Sequence, residues 1–198
     1  NWVIDDFNSY APAVQDRIGQ INTHGYSGSQ RASLRQLARS RDKSLWLSEY
    51  GAGGSEPHNH QDLTSAVQLA DQILLDLKEL QPDAWVYWQA VENEFYQNNW
   101  GLIHANFYGE EACCFTRQYW FMANFCRFIR PGAVMLNVDH PQAVACLDES
   151  RNQLAIVVAN TDPAALDLVF DLSGVVRLGD TADLYRSSVS LNLEKSSA

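Results

Sequence analysis

The 198-residue sequence predicts an α/β fold followed by a β fold, with the boundary at Pro131–Gly132. Two observations carry this prediction. Residues 1–132 alternate short apolar runs with amphipathic helical patterns, which is typical of the β/α units that build a parallel sheet. Residues 133–198 contain short β-rich runs between turn signals and lack a helical period, which indicates antiparallel strands of a sandwich.

The first β/α unit begins with a short strand in residues 19–27, GQINTHGYS, which ends in polar residues. Residues 29–41 then have a helical pattern, with arginines on one face. Three apolar side chains share the other face: Leu34, Leu37 and Ala38.

The second strand, SLWLSEYG at residues 44–51, is apolar up to Ser48 and then places a carboxylate, Glu49, directly before Tyr50 and a glycine. In a β/α barrel this position is the C-terminal mouth, where side chains carry out chemistry. A strand that simply ends in a polar turn is the plain alternative.

A long helix is predicted at residues 61–80, with Asp62 as its N-cap and Pro82 just beyond its end. An apolar stripe runs along it through Val67, Ala70, Leu74 and Leu77.

The third strand, DAWVYWQAVE at residues 83–92, is almost continuously apolar, which predicts a parallel strand covered on both faces. A polar loop at 93–112 and a helix at 118–130 follow, and Pro131–Gly132 ends that helix. Three β/α units cannot close a barrel of eight strands. The sequence is therefore either an open α/β layer or the C-terminal portion of a larger barrel.

Five β-rich runs make up the rest of the chain, and turn signals such as DESRN and NTDPA separate some of them. The runs are AVMLNV (133–138), QAVACL (142–147), QLAIVVAN (153–160), LDLVFDL (166–172) and ADLYRS (182–187).

Composition limits the function classes. A 46% hydrophobic content and six tryptophans indicate a globular protein with a core. The formal net charge of −10 argues against nucleic-acid partners, because a phosphate backbone would be repelled. No segment approaches the roughly 20 apolar residues of a membrane-spanning helix, and the first ten residues lack the pattern of a signal peptide.

No metal or cofactor is expected. The four cysteines, Cys113, Cys114, Cys126 and Cys146, match no zinc-binding pattern, and buried thiols and a single disulfide both remain open for them. The segment EPHNH at residues 56–60 is interpreted as a solvated loop in preference to a metal site.

Four segments resemble glycoside hydrolase family 30, a clan A family of retaining β-glycosidases, in order and spacing: INTHGYSG, LWLSEYG, AWVYWQAVE and YWFMANFCRFIRPGA. The resemblance covers most of the chain and includes the change to a sandwich after the last segment. It implies that the chain is a C-terminal portion of such an enzyme. Residues 1–132 would form strands six to eight of a (β/α)₈ TIM barrel, and residues 133–198 part of the antiparallel β-sandwich.

The resemblance also implies roles for individual residues. Glu49 takes the place of the family's nucleophile at the end of the seventh strand. A nucleophilic carboxylate has to stay ionised, and His24 and Tyr26 could donate hydrogen bonds to it, Tyr26 being the better placed. Trp88 resembles the tryptophan that forms the floor of the sugar subsite. Further sugar contacts are assigned to Tyr50 and Gln89 and, less directly, to Trp100 and His104, whereas Trp85 is assigned to packing.

One part of the family's site has no counterpart here. The acid/base glutamate lies on the fourth strand, which the sequence does not contain, and the ENE segment with Glu92 and Glu94 follows the last predicted barrel strand instead. The missing half of the barrel is expected from the same gene or from a second chain. Glu92 and Glu94 would be reconsidered as the acid only if the isolated chain proved active.

The functional prediction is an endo-acting retaining glycosidase that is secreted, as the resemblance implies. β-1,6-Galactan is the favoured polysaccharide, and β-1,6-glucan and xylan are the rivals. Two alternatives from other classes remain. One is a carbohydrate-binding or interaction fragment without turnover, and the other is an unrelated open α/β domain in which Glu49 is only a strand-end residue.

Overall fold

The computed structural model describes residues 2–53, 59–93, 100–109, 113–175, 179 and 181–196. The chain begins with two short helices that the sequence pattern did not predict, α1 (Trp2–Ser9) and α2 (Pro12–Gln15). Phe7 of α1 is buried in the core. The Gln15 side chain joins the two helices, because its Nε2 donates hydrogen bonds to the Phe7 and Tyr10 carbonyl oxygens at 3.0 and 2.9 Å.

Three parallel strands form the central sheet in the order β1 (Gln20–His24), β2 (Ser44–Tyr50) and β3 (Ala84–Tyr87). The helix α3 (Arg31–Ser40) connects the first two strands. The second connection is α4 (Leu63–Leu75), which continues into a π-helical turn at Asp76–Leu80. The predicted order of alternating strands and helices is therefore confirmed for this part of the chain.

One face of this sheet packs on the helices. Ile21, Leu45 and Leu47 point to that side and belong to the same buried cluster as Leu34 and Ala38 of α3. Helix α4 is more deeply buried than its predicted stripe, since it packs against both the sheet and a later helix. Its buried residues are Ser65, Ala66, Leu69, Ala70, Ile73 and Leu74, whereas Val67 and Leu77 are half-buried.

The N-cap of α4 is confirmed. The Asp62 carboxylate accepts hydrogen bonds from the backbone N–H groups of Thr64 at 3.0 Å and Ser65 at 3.3 Å. These bonds satisfy two of the N–H groups that have no partner within the first turn of a helix.

The other face of the sheet is open among the described residues. Trp46 is 37% exposed and Val86 is 40% exposed, and Asn22 beside them on β1 is also exposed. The third strand was predicted to be covered on both faces, and among the described residues helices cover one of them.

The third strand is also shorter than predicted. It leaves the sheet after Tyr87, and the peptide bond between Trp88 and Gln89 is cis. A separate strand, β4 (Val91–Asn93), then pairs in parallel with β5 (Ile103–Ala105), which pairs antiparallel with β6 (Cys114–Phe115). The predicted single strand at 83–92 is thus two strands in two sheets, and the predicted loop at 93–112 contains a strand.

The helix α5 (Arg117–Cys126) begins at the N-cap Thr116, whose hydroxyl accepts a hydrogen bond from the Tyr119 N–H at 3.3 Å. It ends four residues earlier than predicted. The chain continues in turns to Gly132, whose φ of +89° favours glycine.

An antiparallel sheet follows, in the order β7 (Val134–Leu136), β8 (Ala143–Asp148) and β9 (Gln153–Val158). These three strands match the first three β-rich runs. The run at 166–172 is not a strand and has exposed side chains, so that prediction is wrong. The strands β10 (Leu184–Arg186) and β11 (Glu194–Ser196) form a hairpin.

The antiparallel sheet shares a core with the first part of the chain, because Val144 and Val157 lie in the same buried cluster as Phe125 of α5. The division into domains at residue 132 stays a prediction. All four cysteines are free thiols, and Cys146 is the buried one.

Candidate active site

Glu49 lies near the C-terminal end of β2, next to His24 at the end of β1 in the strand register. Its backbone carbonyl accepts a hydrogen bond from the Gly25 N–H at 2.9 Å, so the two strand ends are joined at this point. The Glu49 side chain is 27% exposed. A partly exposed carboxylate at the end of a parallel strand can meet a ligand from solvent while its backbone stays fixed.

Tyr26 is the principal partner of this carboxylate. Its hydroxyl donates a hydrogen bond to Glu49 Oε1 at 3.1 Å, and His24 Nδ1 lies 3.6 Å from the same oxygen. Desolvation of the hydroxyl, followed by its hydrogen bond to Glu49, raises the pKa of Tyr26 to about 12. Tyr26 therefore remains a neutral hydrogen-bond donor at ordinary pH.

Tyr50 is placed differently from its predicted contact with sugar. Its side chain is buried in the core, with ring centroids 5.6 Å from Tyr26 and 6.0 Å from Trp85. Burial raises the pKa of the Tyr50 hydroxyl. This position corrects the prediction, because Tyr50 supports the Tyr26 ring from below and does not face solvent.

Trp88 follows the last residue of β3 and is 49% exposed. Its backbone N–H donates to the Tyr50 carbonyl at 2.8 Å, which fixes it beside the strand end that carries Glu49. Gly51 allows this approach, since a Cβ at that position would collide with the Trp88 carbonyl oxygen. The indole is thus exposed while its backbone is held against residues 50–51.

The Tyr87 side chain, to which the sequence pattern gave no role beyond the third strand, reinforces this junction. The Tyr87 hydroxyl donates to the Trp100 carbonyl at 2.5 Å and accepts from the Ala52 N–H at 3.3 Å. Tyr87 therefore bridges the backbone after Glu49 and the segment after residue 99. The apolar pattern of the third strand gave no signal for this hydrogen-bonding role of Tyr87.

Gln89 and Glu92 contact each other below this junction. Gln89 Nε2 donates to Glu92 Oε2 at 2.7 Å, so part of the amide assigned to sugar contact is already engaged. Glu92 is only 6% exposed. Its burial argues against its use as an alternative acid, and Glu94 lies outside the described residues.

The remaining predictions concern His104 and the possible metal site in the EPHNH loop. His104 is fully buried, so its predicted contact with sugar is wrong for this structure. Most of the EPHNH loop, residues 56–58, falls outside the described part of the chain. Within the described ranges, no group of three His, Cys, Asp or Glu side chains could hold a metal ion.

A small recess beside β1 does not include Glu49. His24, Arg31 and Asp76 are among the residues that line it. Asp76 is buried there and accepts hydrogen bonds from Arg31 at 2.8 Å and from the Trp85 indole at 3.0 Å. These contacts join α3 and β3 and are structural.

No family model matches the chain. An endo-β-1,6-galactanase from Hypocrea rufa is 30% identical over 172 residues, which is 86% of this chain and 33% of that protein. An exo-β-1,6-galactobiohydrolase from Bifidobacterium longum subsp. longum is 28% identical over 117 residues, 52% of this chain and 8% of that protein. The chain thus spans about one third of the length of the first relative.

The fold also has solved counterparts. A family 30 subfamily 8 xylanase from Clostridium acetobutylicum aligns with 97% of this chain and 45% of its own, at a TM-score of 0.68 and 20% identity. At that identity the likeness concerns the fold. The chain therefore shares the fold of part of a family 30 glycoside hydrolase, and the two curated relatives are both glycoside hydrolases by name.

Proposed function

We propose, starting from the confirmed resemblance to glycoside hydrolase family 30, that this chain carries the nucleophile of an endo-acting retaining glycoside hydrolase. The observation that carries the proposal is the setting of Glu49 at the end of a parallel strand, with the Tyr26 hydroxyl 3.1 Å from its carboxylate. A hydroxyl donor stabilises the ionised form of a carboxylate, which is the form that attacks.

The reaction proceeds in two steps. A Glu49 oxygen attacks the anomeric carbon and forms a glycosyl ester while the glycosidic C–O bond breaks, and the leaving oxygen takes a proton from a second carboxyl group. Water activated by that same group then hydrolyses the ester and releases Glu49. Retaining enzymes place the two carboxyl groups about 5 to 5.5 Å apart.

The second carboxyl group is proposed to come from a barrel strand outside these 198 residues. Glu92 does not fit the role, because its carboxylate is buried and accepts a hydrogen bond from the Gln89 side chain. The central sheet supports the same proposal, since its Trp46 and Val86 face is open among the described residues. Strands β1 to β3 would then be barrel strands six to eight, completed by the same polypeptide or by a second chain.

Trp88 is proposed as the floor of the sugar subsite. Its exposed indole can cover the apolar C–H face of a pyranose, and its backbone is fixed against Tyr50. His24 Nδ1 lies 3.6 Å from the Glu49 carboxylate, and His24 is proposed to contact a sugar hydroxyl beside that group.

β-1,6-Galactan is the proposed substrate because both curated relatives are named for a β-1,6 linkage of galactose units. β-1,6-Glucan and xylan are the alternatives to test beside it. Secretion is proposed because the resemblance to family 30 implies it. Among the described residues, none of the helices combines the length and apolar character needed to cross a membrane.

The second candidate function is sugar binding without turnover. The exposure of Trp88 favours it, because a stacking platform needs no proton donor. The two candidates differ in what they require of Glu49, since only hydrolysis needs a nucleophile.

Substitution of Glu49 separates them. In the complete polypeptide that contains this chain, Glu49→Gln should abolish hydrolysis of β-1,6-galactan while oligosaccharide binding persists, because an amide cannot form the glycosyl ester. Azide should restore cleavage to Glu49→Ala with inverted configuration at the anomeric carbon, which product NMR detects. Glu79→Gln, at an exposed site on the π-helical turn, is the matched control. Normal turnover by Glu49→Gln would exclude Glu49 as the nucleophile.

A further inference from the structure

Glu92 is a buried carboxylate whose two oxygens are both occupied. Oε2 accepts hydrogen bonds from Gln89 Nε2 at 2.7 Å and from the Trp100 indole N–H, and Oε1 accepts from the Asn93 backbone N–H at 3.0 Å. A buried charge is costly unless donors satisfy it, and here three donors do so. The carboxylate is therefore a fixed point around which its donors are arranged.

The segment 100–101 is shaped to close over this carboxylate. A Cβ at Gly101 would come within 2.9 Å of the His104 ring and closer still to Glu92 Cβ. Only glycine leaves the space that brings the Trp100 indole to Glu92. The contact is thus built by backbone geometry as well as by the side chains.

The two side-chain donors to Glu92 connect to the candidate active site from two directions. Gln89 is adjacent in sequence to Trp88, the proposed sugar platform. The Trp100 carbonyl oxygen accepts a hydrogen bond from the Tyr87 hydroxyl. The Trp100 Cβ is also close to Gly51, since a Cβ added to that glycine would lie 3.6 Å from it. Since Tyr87 also binds the Ala52 N–H, the network reaches the backbone that follows Glu49.

We infer that Glu92 is a positioning residue for the sugar subsite, an inference that rests on the proposed function. Its carboxylate holds Gln89 and Trp100 in fixed places, and these hold Trp88 and residues 51–52 in the arrangement that receives the sugar. Glu92 does not touch the substrate, because it is buried below the junction. Its effect is therefore expected on substrate binding more than on the chemical step.

Two variants and one control test this inference in the complete polypeptide. Glu92→Gln puts an amide N–H₂ among hydrogen-bond donors, and Trp100→Phe removes the indole donor while it keeps an aromatic ring. Asp148→Asn is the control, because Asp148 is equally buried but lies at the β8–β9 turn, bonded to Ser150 and Arg151. Initial rates on β-1,6-galactan give KM and kcat separately.

Glu92→Gln and Trp100→Phe should each raise KM about 10-fold with kcat within about twofold, the loss expected when a hydrogen bond to a charged group is weakened. The double variant should be little worse than either single one, because both changes break the same contact. Asp148→Asn should leave KM unchanged.

Three results would overturn the inference: an unchanged KM in both variants, a loss of kcat alone, or an equal rise of KM in the control. If the wild-type protein cleaves none of the three glycans, the proposed function fails instead. The Trp100 indole N–H resonance then still tests the contact, after its assignment by Trp100→Phe. It should move upfield and exchange faster in Glu92→Gln, and an unmoved resonance would contradict the positioning role.

Discussion

Tyr26 connects the Glu49 carboxylate to the buried part of the protein. Its ring packs on the buried Tyr50 ring at a centroid distance of 5.6 Å, and its hydroxyl reaches Glu49. Tyr50 in turn packs on Trp85 of β3, so a column of aromatic rings fixes the donor beside the carboxylate. The position of this donor is thus set by packing across three strands and not by the loop that contains it.

The raised pKa of Tyr26 predicts its behaviour at alkaline pH. At about pH 10 an ordinary tyrosine is half ionised, whereas Tyr26, with a pKa of about 12, should remain neutral. A folded-state pKa above the unfolded value contributes stability that is fully present below about pH 10 and lost as pH rises toward 12. The tyrosinate absorbance of wild type minus that of Tyr26→Phe should therefore show no ionisation of Tyr26 at about pH 10.

Tyr26→Phe should also lower kcat/KM at neutral pH by roughly 10-fold or more, since the carboxylate loses a hydrogen bond from a neighbouring hydroxyl. Tyr10→Phe, at an exposed site near the N-terminus, is the control and should leave kcat/KM unchanged. A difference spectrum with a midpoint near pH 10 for Tyr26 would contradict the contact with Glu49.

Helices and strands meet around Asp76, in the π-helical turn after α4. Its buried carboxylate accepts hydrogen bonds from three elements at once: from Arg31 of α3 at 2.8 Å, Gln72 of α4 at 2.9 Å and Trp85 of β3 at 3.0 Å. This one carboxylate therefore sets the spacing of α3, α4 and β3, and β3 is the strand next to the one that carries Glu49.

Asp76→Asn should destabilise the fold by about 3 to 5 kcal/mol, because it leaves the Arg31 guanidinium, whose side chain is only 17% exposed, without its buried counter-charge. The free energy of unfolding in urea measures this. Asp71→Asn is the matched control on the exposed side of α4 and should change stability by less than about 0.5 kcal/mol. Equal midpoints for the two variants would refute a structural role for the Asp76 cluster.

Lys78, two residues further along, joins this turn to the antiparallel sheet. Its ammonium donates to the carbonyl oxygens of Val138, His140 and Ala143 at 2.9, 2.8 and 3.1 Å. Three carbonyls that converge on one ammonium fix the β7–β8 connection on the first part of the chain. This contact crosses the predicted boundary at residue 132.

Lys78→Met keeps the aliphatic stem and removes the donor, so the three carbonyls lose their common partner. We expect a loss of about 1 to 3 kcal/mol in unfolding free energy and faster amide exchange in residues 134–147. Lys43→Met is the control, because the ammonium of Lys43 contacts a single exposed carbonyl, that of Asp16. Unchanged exchange in the β7–β8 connection would show that Lys78 does not hold it.

The sequence predicted these elements unevenly, for physical reasons. The strands at 20–24 and 44–50 and the Asp62 cap follow from local periodicity and capping, which a sequence displays directly. The break after Tyr87 was missed because apolar character continues through AWVYWQAVE while the backbone changes sheets. The run at 166–172 has a strand-like pattern, but a strand also needs a partner, and partners are non-local.

The candidate site was predicted through resemblance more than through pattern. The place of Glu49 and its contact with Tyr26 could be anticipated from neighbouring strand ends. The burial of Tyr50 and Glu92 could not, because each depends on residues brought together by the fold, such as Trp85 and Trp100. The sequence of a short polar segment does not show which of its charged and aromatic side chains are buried in the fold.

For the whole molecule, the open face of the central sheet is the feature with the largest consequence. Trp46 and Val86 expose apolar surface there, and β1 and β3 have no further strand on their outer edges among the described residues. A parallel sheet is ordinarily covered on both faces, and a bare strand edge offers unpaired hydrogen-bonding groups to other chains. We therefore expect further polypeptide to pack against this face of the central sheet.

The isolated 198-residue chain should accordingly associate and should not hydrolyse β-1,6-galactan. Its described residues include no available acid/base carboxyl group, and general acid/base catalysis typically contributes 10² to 10⁴ in rate. Its exposed apolar face favours self-association. Light scattering should report a mass above that of the monomer. Trp46→Ser combined with Val86→Thr should reduce association, whereas Val134→Thr combined with Val169→Ser, at exposed sites outside the central sheet, should not. A monodisperse and active monomer would contradict both expectations, because it would mean that these residues form a complete site and need no further strands.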